Sequence, residues 1–375
     1  MPQRAIPAVW MRGGTSKGIM VRDEHLPPPG RERDAVVLEI MGSPDVGQID
    51  GMGGGSSSTS KIITVKRSER PGVDVDFLFG QVAVRDALVD WKPNSGNLTS
   101  AVCAYVVDEG LVPATEPEVT FVLYNENTRT NIRATVPVVD GRAAVQGEVE
   151  VAGVPRPGAR IINEYLDLVG KFQGRGALPT GAPVDVVETP FGAVEASFVD
   201  AANLVMFVDA AALGIEGTIL PAQVNSDEVL LERIEQVRAA GALHLGLVEP
   251  GAVAALASPI LPLLSLVSKA ADYQTTQGTA IKDGDVDFVA RVMSLQRMHH
   301  AHPMTGLICT SVGGVTPGTI PHRLRGEQPG SWVRVGHPKG VSAAEVRHAA
   351  DGAIESVAVV RTARRLMAGE VYVRV

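Results

Sequence analysis

The sequence predicts a β-rich α+β protein with two similar domains, each of which wraps strands around one buried apolar helix. Three observations lead to this prediction. The 375 residues exceed the roughly 250–300 residues at which a single core stops growing. The 40 Gly and 25 Pro residues imply many turns, which favours short strands over long helices. Each half also contains one apolar helical segment with strand-like segments on both sides.

In the first half, residues 5–90 are interpreted as short strands separated by Gly, Pro and Ser turns, with alternating apolar residues at 62–66 and 73–84. The turn at 93–97 precedes a predicted helix at 98–109. Its sequence, LTSAVCAYVVDE, is apolar on nearly all sides, which indicates a buried helix. Further strands are predicted at 119–124, 130–138, 143–151 and 158–163.

A second round of elements begins near residue 183. It predicts a hairpin at 184–199, a strand at 203–209, an amphipathic helix at 225–247 and a buried helix at 307–315. Other strands are predicted at 260–267, 286–293, 332–335, 354–359 and 371–375. The order of elements places an N-terminal domain at 1–183 and a C-terminal domain at 184–375, and it allows the last strand to pair with the first domain.

Composition and charge exclude several classes of function. The net charge is −8 and the basic residues are scattered, so no basic face for nucleic acid is expected. The chain has no run of 18 apolar residues and no apolar leader segment, so neither a membrane partner nor export is expected. Two cysteines, Cys103 and Cys309, are too few for a disulfide framework. We expect a cytoplasmic protein, with a homodimer as the general expectation for its oligomeric state.

Two glycine-rich segments could bind an anion. Residues 12–18 (RGGTSKG) and 53–61 (GGGSSSTSK) each present glycines followed by Thr-Ser-Lys. Such loops offer N–H groups, hydroxyls and an ammonium to a carboxylate or phosphate. Composition alone would favour a flexible linker for 53–60. The P-loop pattern GxxxxGK[ST] is matched by neither segment.

The starts of the two buried helices could also bind an anion. Free N–H groups and the helix macrodipole favour negative charge at 94–100 and at 304–306. The alternative for the first helix is that Asn97 or Thr99 is an ordinary N-cap. His299, His300 and His302 lack carboxylates or thiols at metal-ligand spacing, so no metal is expected and the trio is assigned to substrate contact or structure. The acidic residues at predicted strand ends are interpreted as surface charges: Asp90, Glu195 and Asp200.

Several motifs, in order along essentially the whole chain, resemble the PrpF-type isomerase family. They are MRGGTSKG, GSPD, QIDGMGG, SSTSK, DVDFLFGQV, NSGNLTSAV, LPTG, DAAN and RTARRLMAGEVYV. That family includes 2-methylaconitate isomerase, 4-oxalomesaconate tautomerase and methylitaconate Δ-isomerase. The resemblance implies a diaminopimelate epimerase-like fold, with two domains that each form a barrel-like sheet around a central helix.

The resemblance also implies a cofactor-independent 1,3-allylic proton shift on a small unsaturated di- or tricarboxylic acid, such as 4-oxalomesaconate, 2-methylaconitate or aconitate. The lysine of SSTSK, here Lys61, corresponds to the proton-transferring base. The family usually has Cys-Gly-Asn at the first buried helix, where this chain has Ser95, Gly96 and Asn97. A thiol with a pKa of about 8.5 exchanges protons near neutral pH, whereas a serine hydroxyl does not without activation.

These considerations assign catalysis to Lys61 and Ser95, with Ser95 binding a carboxylate or orienting a water. The residues assigned to substrate binding are Arg12, Thr15, Ser16, Lys17, Ser60, Gly96, Asn97, His302, Thr305 and Gly306. One rival hypothesis, a two-base epimerase, needs two opposed bases, and the chain offers Ser95 and Thr305. A second rival, a catalytically weakened carboxylate-binding accessory protein, is suggested by Ser95 but gives no role to Lys61.

Overall fold

The computed structural model describes residues 3–328 and 330–374. The chain divides into two compact units, a first unit of Met1–Leu166 with Val359–Val375 and a second unit of Asp167–Ala358. Strands account for 38% of the chain and helices for 21%, so the predicted β-rich class is confirmed. Contacts within the structure place the boundary between the two units at 166/167, and the chain returns to the first unit at 358/359. The order of elements in the sequence predicted a single domain boundary at 183/184. Among the described residues, no helix is both long and apolar enough to cross a membrane.

The first unit contains helices α1 (Arg31–Met41) and α2 (Gly96–Asp108). Its strands are β1 (Gln3–Gly13), β2 (Ser16–Arg22), β3 (Lys61–Arg67), β4 (Val75–Val82), β5 (Val89–Asp90), β6 (Glu118–Asn125), β7 (Thr130–Val139), β8 (Arg142–Ala143), β9 (Ile161–Leu166) and β21 (Ala363–Arg374). The strand β20 (Ile354–Arg361) crosses the division between the units.

The second unit contains helices α3 (Pro221–Asn225), α4 (Glu228–His244), α5 (Ala254–Ala257), α6 (Met304–Val315) and α7 (Ile320–Arg325). Its strands are β10 (Asp185–Thr189), β11 (Gly192–Asp200), β12 (Leu204–Asp209), β13 (Leu263–Lys269), β14 (Tyr273–Gln274), β15 (Ala280–Ile281), β16 (Phe288–Ser294), β17 (Arg297–Met298), β18 (Trp332–His337) and β19 (Gly340–His348). Short 3-10 helices lie at Asp23–His25, Ala210–Leu213 and Asp283–Asp285.

In the first unit the sheet surrounds α2. Strand β1 pairs antiparallel with β2 and β21, β2 runs parallel to β3, and β3 is antiparallel to β4. The sheet continues through β6, β7 and β9. Strands β1, β2, β7, β9 and β21 all contact α2, and every residue from 98 to 107 is buried. A helix that is apolar all round is stable only with protein on all sides, which this sheet supplies.

The second unit repeats this plan around α6. Its strands β10, β11 and β12 are antiparallel, β12 runs parallel to β13, and β13 continues through β16 and β18 to β19. Strands β11, β12, β18 and β19 contact α6, and residues 306–314 are buried. The small side chains of MTGLICTSVGG allow this close approach. The prediction of two similar domains, each built around one buried helix, is therefore confirmed.

Three local predictions are wrong. Helix α1 lies where the sequence suggested strands; its buried residues Val37, Ile40 and Met41 have the i, i+3, i+4 spacing of a helix face. Strand β8 is two residues long instead of covering 143–151. Asp200 is fully buried rather than a surface charge. Its carboxylate accepts hydrogen bonds from the backbone N–H groups of Phe172 and Gln173, which offset the cost of burial.

Candidate active site

Lys61 is the first residue of β3 and its side chain is only 9% exposed. Its Nζ donates a hydrogen bond of 2.6 Å to Gln81 Oε1 and lies 4.8 Å from the centroid of the Phe79 ring. Burial lowers the pKa of Lys61 to about 8 because desolvation penalises the ammonium form. This lysine therefore carries a useful fraction of free amine near neutral pH, as a general base must.

Gln81 holds the Lys61 amine in place. The two residues are directly paired between the antiparallel strands β3 and β4. Gln81 Nε2 donates to the backbone oxygens of Ser57 at 3.1 Å and Ser60 at 2.9 Å, so its Oε1 faces the lysine. The sequence analysis did not identify Gln81. In the sequence, Gln81 is a single amide near the end of the apolar segment DVDFLFGQV. Its role could be recognised only after strand pairing placed it opposite Lys61.

A glycine brings helix α2 close to Lys61. A Cβ atom added to Gly18 would lie 3.2 Å from Lys61 Cβ and 2.8 Å from Leu98 Cδ1, distances too short for a normal side chain. Gly14, at φ +48°, lies against Asn97, and a Cβ there would collide with Asn97 Oδ1. Asn97 Nδ2 in turn donates to Thr15 Oγ1 at 3.0 Å. The turn between β1 and β2 therefore packs directly on the start of α2.

The start of α2 presents unpaired N–H groups. Ser95 is the N-cap residue, is buried, and does not cap the helix with its side chain. Its own N–H donates to Asn94 Oδ1 at 2.7 Å. The N–H groups of Gly96, Asn97 and Leu98 make no hydrogen bond to any part of the chain that the structure describes. These groups and the macrodipole form an environment that favours an anion.

The second glycine-rich segment is tied down. Ser60 Oγ donates to Gln48 Oε1 at 2.6 Å, and the N–H of Gly55 donates to the same oxygen at 2.8 Å. The N–H of Lys17 donates to Ser58 O at 2.9 Å. These bonds are not those of a flexible linker. The Ser60 hydroxyl, a predicted substrate contact, is therefore already hydrogen-bonded within the protein.

The side chains of Arg12 and Lys17 lie on the face of the sheet opposite to Lys61. They are paired across β1 and β2, and successive side chains of a strand point to opposite faces. Ser16 and Gly18 are buried on the face of α2 and Lys61, so Lys17 and its partner Arg12 project from the other face. Arg12 Nη1 donates to the backbone oxygen of Thr362 at 2.8 Å and to its hydroxyl at 3.0 Å.

The two cysteines do not supply a second base. Cys103 donates to Thr99 O and Asn163 Oδ1, both at 3.1 Å, and Cys309 donates to Val199 O at 3.2 Å. Both thiols are buried, and burial raises the pKa of each because it penalises the thiolate. They are structural hydrogen-bonded thiols. Neither takes the place of the cysteine that the resemblance led us to expect at the position of Ser95.

In the second unit, Thr305 and Gly306 lie in the first turn of helix α6, which has no side-chain cap. Asn203 Nδ2 donates to Thr305 Oγ1 at 3.2 Å. His302 is buried, with Nε2 3.2 Å from Thr310 Oγ1, and burial lowers its pKa to about 3. His302 is therefore neutral at physiological pH. Within residues 3–328 and 330–374, no group of three or more His, Cys, Asp or Glu residues is arranged to hold a metal ion.

Comparisons with known proteins identify the family of this chain. The family model described as "PrpF protein" matches residues 3–374. The 3-methylitaconate isomerase of Eubacterium barkeri is 40% identical over 99% of this chain and 98% of its own. The 2-methyl-aconitate isomerase of Shewanella oneidensis is 37% identical over 100% and 98%. The 4-oxalomesaconate tautomerase of Pseudomonas putida is 33% identical over 100% and 97%.

Solved structures give the same result. A crystal structure of methylitaconate-delta-isomerase has a TM-score of 0.91 and 39% identity, covering 100% of this chain and 96% of that one. A probable proline racemase from Agrobacterium radiobacter has a TM-score of 0.50 and 12% identity over 98% and 92%, a likeness of fold alone. The chain is thus an isomerase, and its fold resembles that of the probable proline racemase. It belongs to the PrpF protein family.

Proposed function

We propose that this isomerase catalyses a cofactor-independent 1,3-allylic proton shift on a small unsaturated di- or tricarboxylic acid, with Lys61 as the base. 4-Oxalomesaconate, 2-methylaconitate and aconitate are candidate substrates. The observation that carries the proposal is the buried Lys61, with a pKa lowered to about 8 and a neutral amide as its hydrogen-bond partner. Relatives named as isomerases or tautomerases of methylitaconate, methylaconitate and oxalomesaconate support the substrate class.

In the first step the Lys61 amine removes a proton from the allylic carbon of the substrate. With a pKa of about 8, roughly one lysine in ten is a free amine at pH 7. The C–H bond breaks, the proton goes to Nζ, and the electron pair enters the conjugated system as a dienolate on the carboxylate. The hydrogen bond that the amine donates to Gln81 orients the amine and its single lone pair.

In the second step the Lys61 ammonium returns the proton to the far end of the allylic system, on the same face. The dienolate carries its charge on carboxylate oxygens in the meantime. The unpaired N–H groups of Gly96, Asn97 and Leu98 are suited to stabilise this charge, since preorganised donors act most strongly where charge develops. The double bond has moved, and the lysine is again a free amine.

Ser95 contributes a hydroxyl at the same helix start. It is buried, and its side chain does not cap α2, so the hydroxyl is available to a substrate carboxylate or an ordered water. Thr15, Ser16 and Asn97 form the polar surroundings on this side of the sheet. In the second unit, His302 precedes the start of helix α6, and Thr305 and Gly306 lie in its first turn.

The test is proton NMR in D2O together with ultraviolet absorbance, using a panel of unsaturated di- and tricarboxylates. Wild type should shift the double bond of one substrate with uptake of solvent deuterium. Lys61→Ala should lose about a thousandfold or more in kcat while still binding ligand. Lys66→Ala is the matched control, because Lys66 lies on the same strand but is half-exposed and paired with Glu126.

Full activity of Lys61→Ala would show that the one-base mechanism is wrong. If wild type converts no member of the panel but is protected by ligands against thermal unfolding, the carboxylate-binding accessory protein becomes the better description, with Ser95 as its cause.

A further inference from the structure

Three cations lie in a row across adjacent strands of the first unit. Arg12 on β1 is directly opposite Lys17 on β2 and directly opposite Arg364 on β21. Like charges at directly opposed positions repel one another. None of the three forms an ion pair with any residue that the structure describes. Such a row is unexpected in a chain with a net charge of −8.

Arg12 and Arg364 also line a cavity of about 530 Å³, together with Arg156 from the loop that follows β8. The cavity contains no acidic side chain among its lining residues. Its walls are largely apolar and include Val145, Val154 and Leu366. Glu148 and Glu150 belong to the same loop but do not line the cavity. The cavity therefore combines three positive charges with hydrocarbon surface.

The Arg12 guanidinium is held in position without being neutralised. Its Nη1 donates to neutral acceptors only, which are Gly14 O, Thr362 O and Thr362 Oγ1. Nε and Nη2 donate to no atom within the described part of the chain. Burial and the neighbouring charge of Arg364 lower the pKa of Arg12. A bound anion would use the remaining donors and relieve this repulsion.

The cavity is separate from the Lys61 site. Arg12 and Lys17 project from the face of the sheet opposite to Gly18 and Lys61, because successive side chains of a strand point to opposite faces and Lys17 is exposed between the buried Ser16 and Gly18. A ligand in the cavity would therefore lie across the sheet from the proposed base. Its binding does not depend on whether Lys61 acts as proposed.

We propose that Arg12, Arg156 and Arg364 form a second anion site that binds a small di- or tricarboxylate. Three guanidinium groups around one cavity can bind a ligand with two or three carboxylates, because each guanidinium binds a carboxylate through paired N–H donors. The apolar walls favour an anion with a hydrocarbon backbone over inorganic phosphate, because they gain from contact with carbon atoms. A carboxylate of the same class as the substrate would bind here without reacting.

The experiment is isothermal titration calorimetry of the full chain with propane-1,2,3-tricarboxylate, which has no double bond to shift. Wild type should show a binding event that persists in Lys61→Ala and weakens at high salt. The double variant Arg156→Gln/Arg364→Gln should weaken that event by about tenfold or more. Arg142→Gln is the matched control, because Arg142 is exposed in the same unit and lies outside the cavity. A titration with inorganic phosphate runs in parallel.

The proposal is overturned if the double variant binds the tricarboxylate as the Arg142→Gln control does. It is also overturned if phosphate binds as tightly as the tricarboxylate, since the site would then select only charge. Isomerase turnover is measured on the same samples. Loss of the binding event with retained turnover in the double variant separates this site from the Lys61 site, whatever Lys61→Ala does.

Discussion

Lys61 and Gln81 occupy a directly paired position of two antiparallel strands, and the lysine donates to the amide oxygen over 2.6 Å. The partner is neutral. A carboxylate at the same place would stabilise the ammonium and raise its pKa, whereas an amide orients the amine and leaves the effect of burial intact. Since Gln81 is itself held by the backbone oxygens of Ser57 and Ser60, the orientation is set before substrate arrives.

The first prediction concerns pH. In the proposed mechanism the free amine of Lys61 is the active form, so kcat/KM should rise about tenfold per pH unit below pH 8 and level off above it. The midpoint should follow the lowered pKa of about 8 rather than the ordinary lysine value of 10.5. Initial rates between pH 6 and 10 at subsaturating substrate measure this. A rate that falls as pH rises through 8 would exclude Lys61 as the base.

The second prediction concerns Gln81→Glu. The new carboxylate would stabilise the Lys61 ammonium, so the acid limb of the pH profile should move up by about one pH unit or more, and activity at pH 7 should fall about tenfold. Gln81→Met is the control, because it removes the hydrogen bond without adding charge. It should lower kcat without an upward shift of the limb. A merely structural Gln81 would give two variants with identical pH profiles.

The third prediction concerns stability. The buried ammonium destabilises the folded state, because its pKa falls from 10.5 to about 8 on folding. This cost is present in full below pH 8 and disappears as pH rises from 8 towards 10.5. Lys61→Met should therefore be more stable than wild type at pH 7, by about 3 kcal/mol, with the difference shrinking above pH 8. Urea denaturation at pH 7 and pH 10 tests this, and a constant difference between them would contradict it.

The fourth prediction concerns Ser95→Cys. If Ser95 only binds a carboxylate or a water, the substitution should change KM more than kcat. A large rise in kcat would mean instead that a thiol at this helix start transfers protons and that this chain has lost that group. Steady-state kinetics with the substrate that the NMR panel selects, and with Ser95→Ala for comparison, distinguish the two.

The fifth prediction concerns Gly14→Ala. Gly14 has φ +48° and no room for a Cβ beside Asn97 Oδ1, so the variant should push the turn away from α2 and raise KM about tenfold. Gly72→Ala is the control, because Gly72 also has a positive φ but no atom within 4 Å of an added Cβ. The control should lose only about 1 kcal/mol of stability and keep its KM. Equal KM values for both variants would contradict the prediction.

Much of the fold could be predicted from the sequence, because the apolar composition of the two central helices indicates that both are buried. LTSAVCAYVVDE and the segment that begins with MTGLICTSV have no polar face, so each requires protein all around it. Helix α1 was not predicted because its apolar residues form one short run, AVVLEIM, after a series of prolines, and such a run does not distinguish a helix from a buried strand. The strand predicted at 143–151 failed because its alternation was not matched by a partner over most of its length.

The sequence by itself determined the family and the β-rich plan with two buried helices, and it proposed Lys61 as the candidate base, since these depend on local composition and ordered motifs. Only the tertiary structure decided which of the candidate site residues lie next to one another. Strand register paired Lys61 with Gln81, 20 residues away in sequence. Because side chains alternate along a strand, Arg12 and Lys17 lie on the opposite face of the sheet from Ser16 and Gly18, although all four belong to one motif. Register and facing are set by long-range pairing, so a motif read along the chain does not contain them.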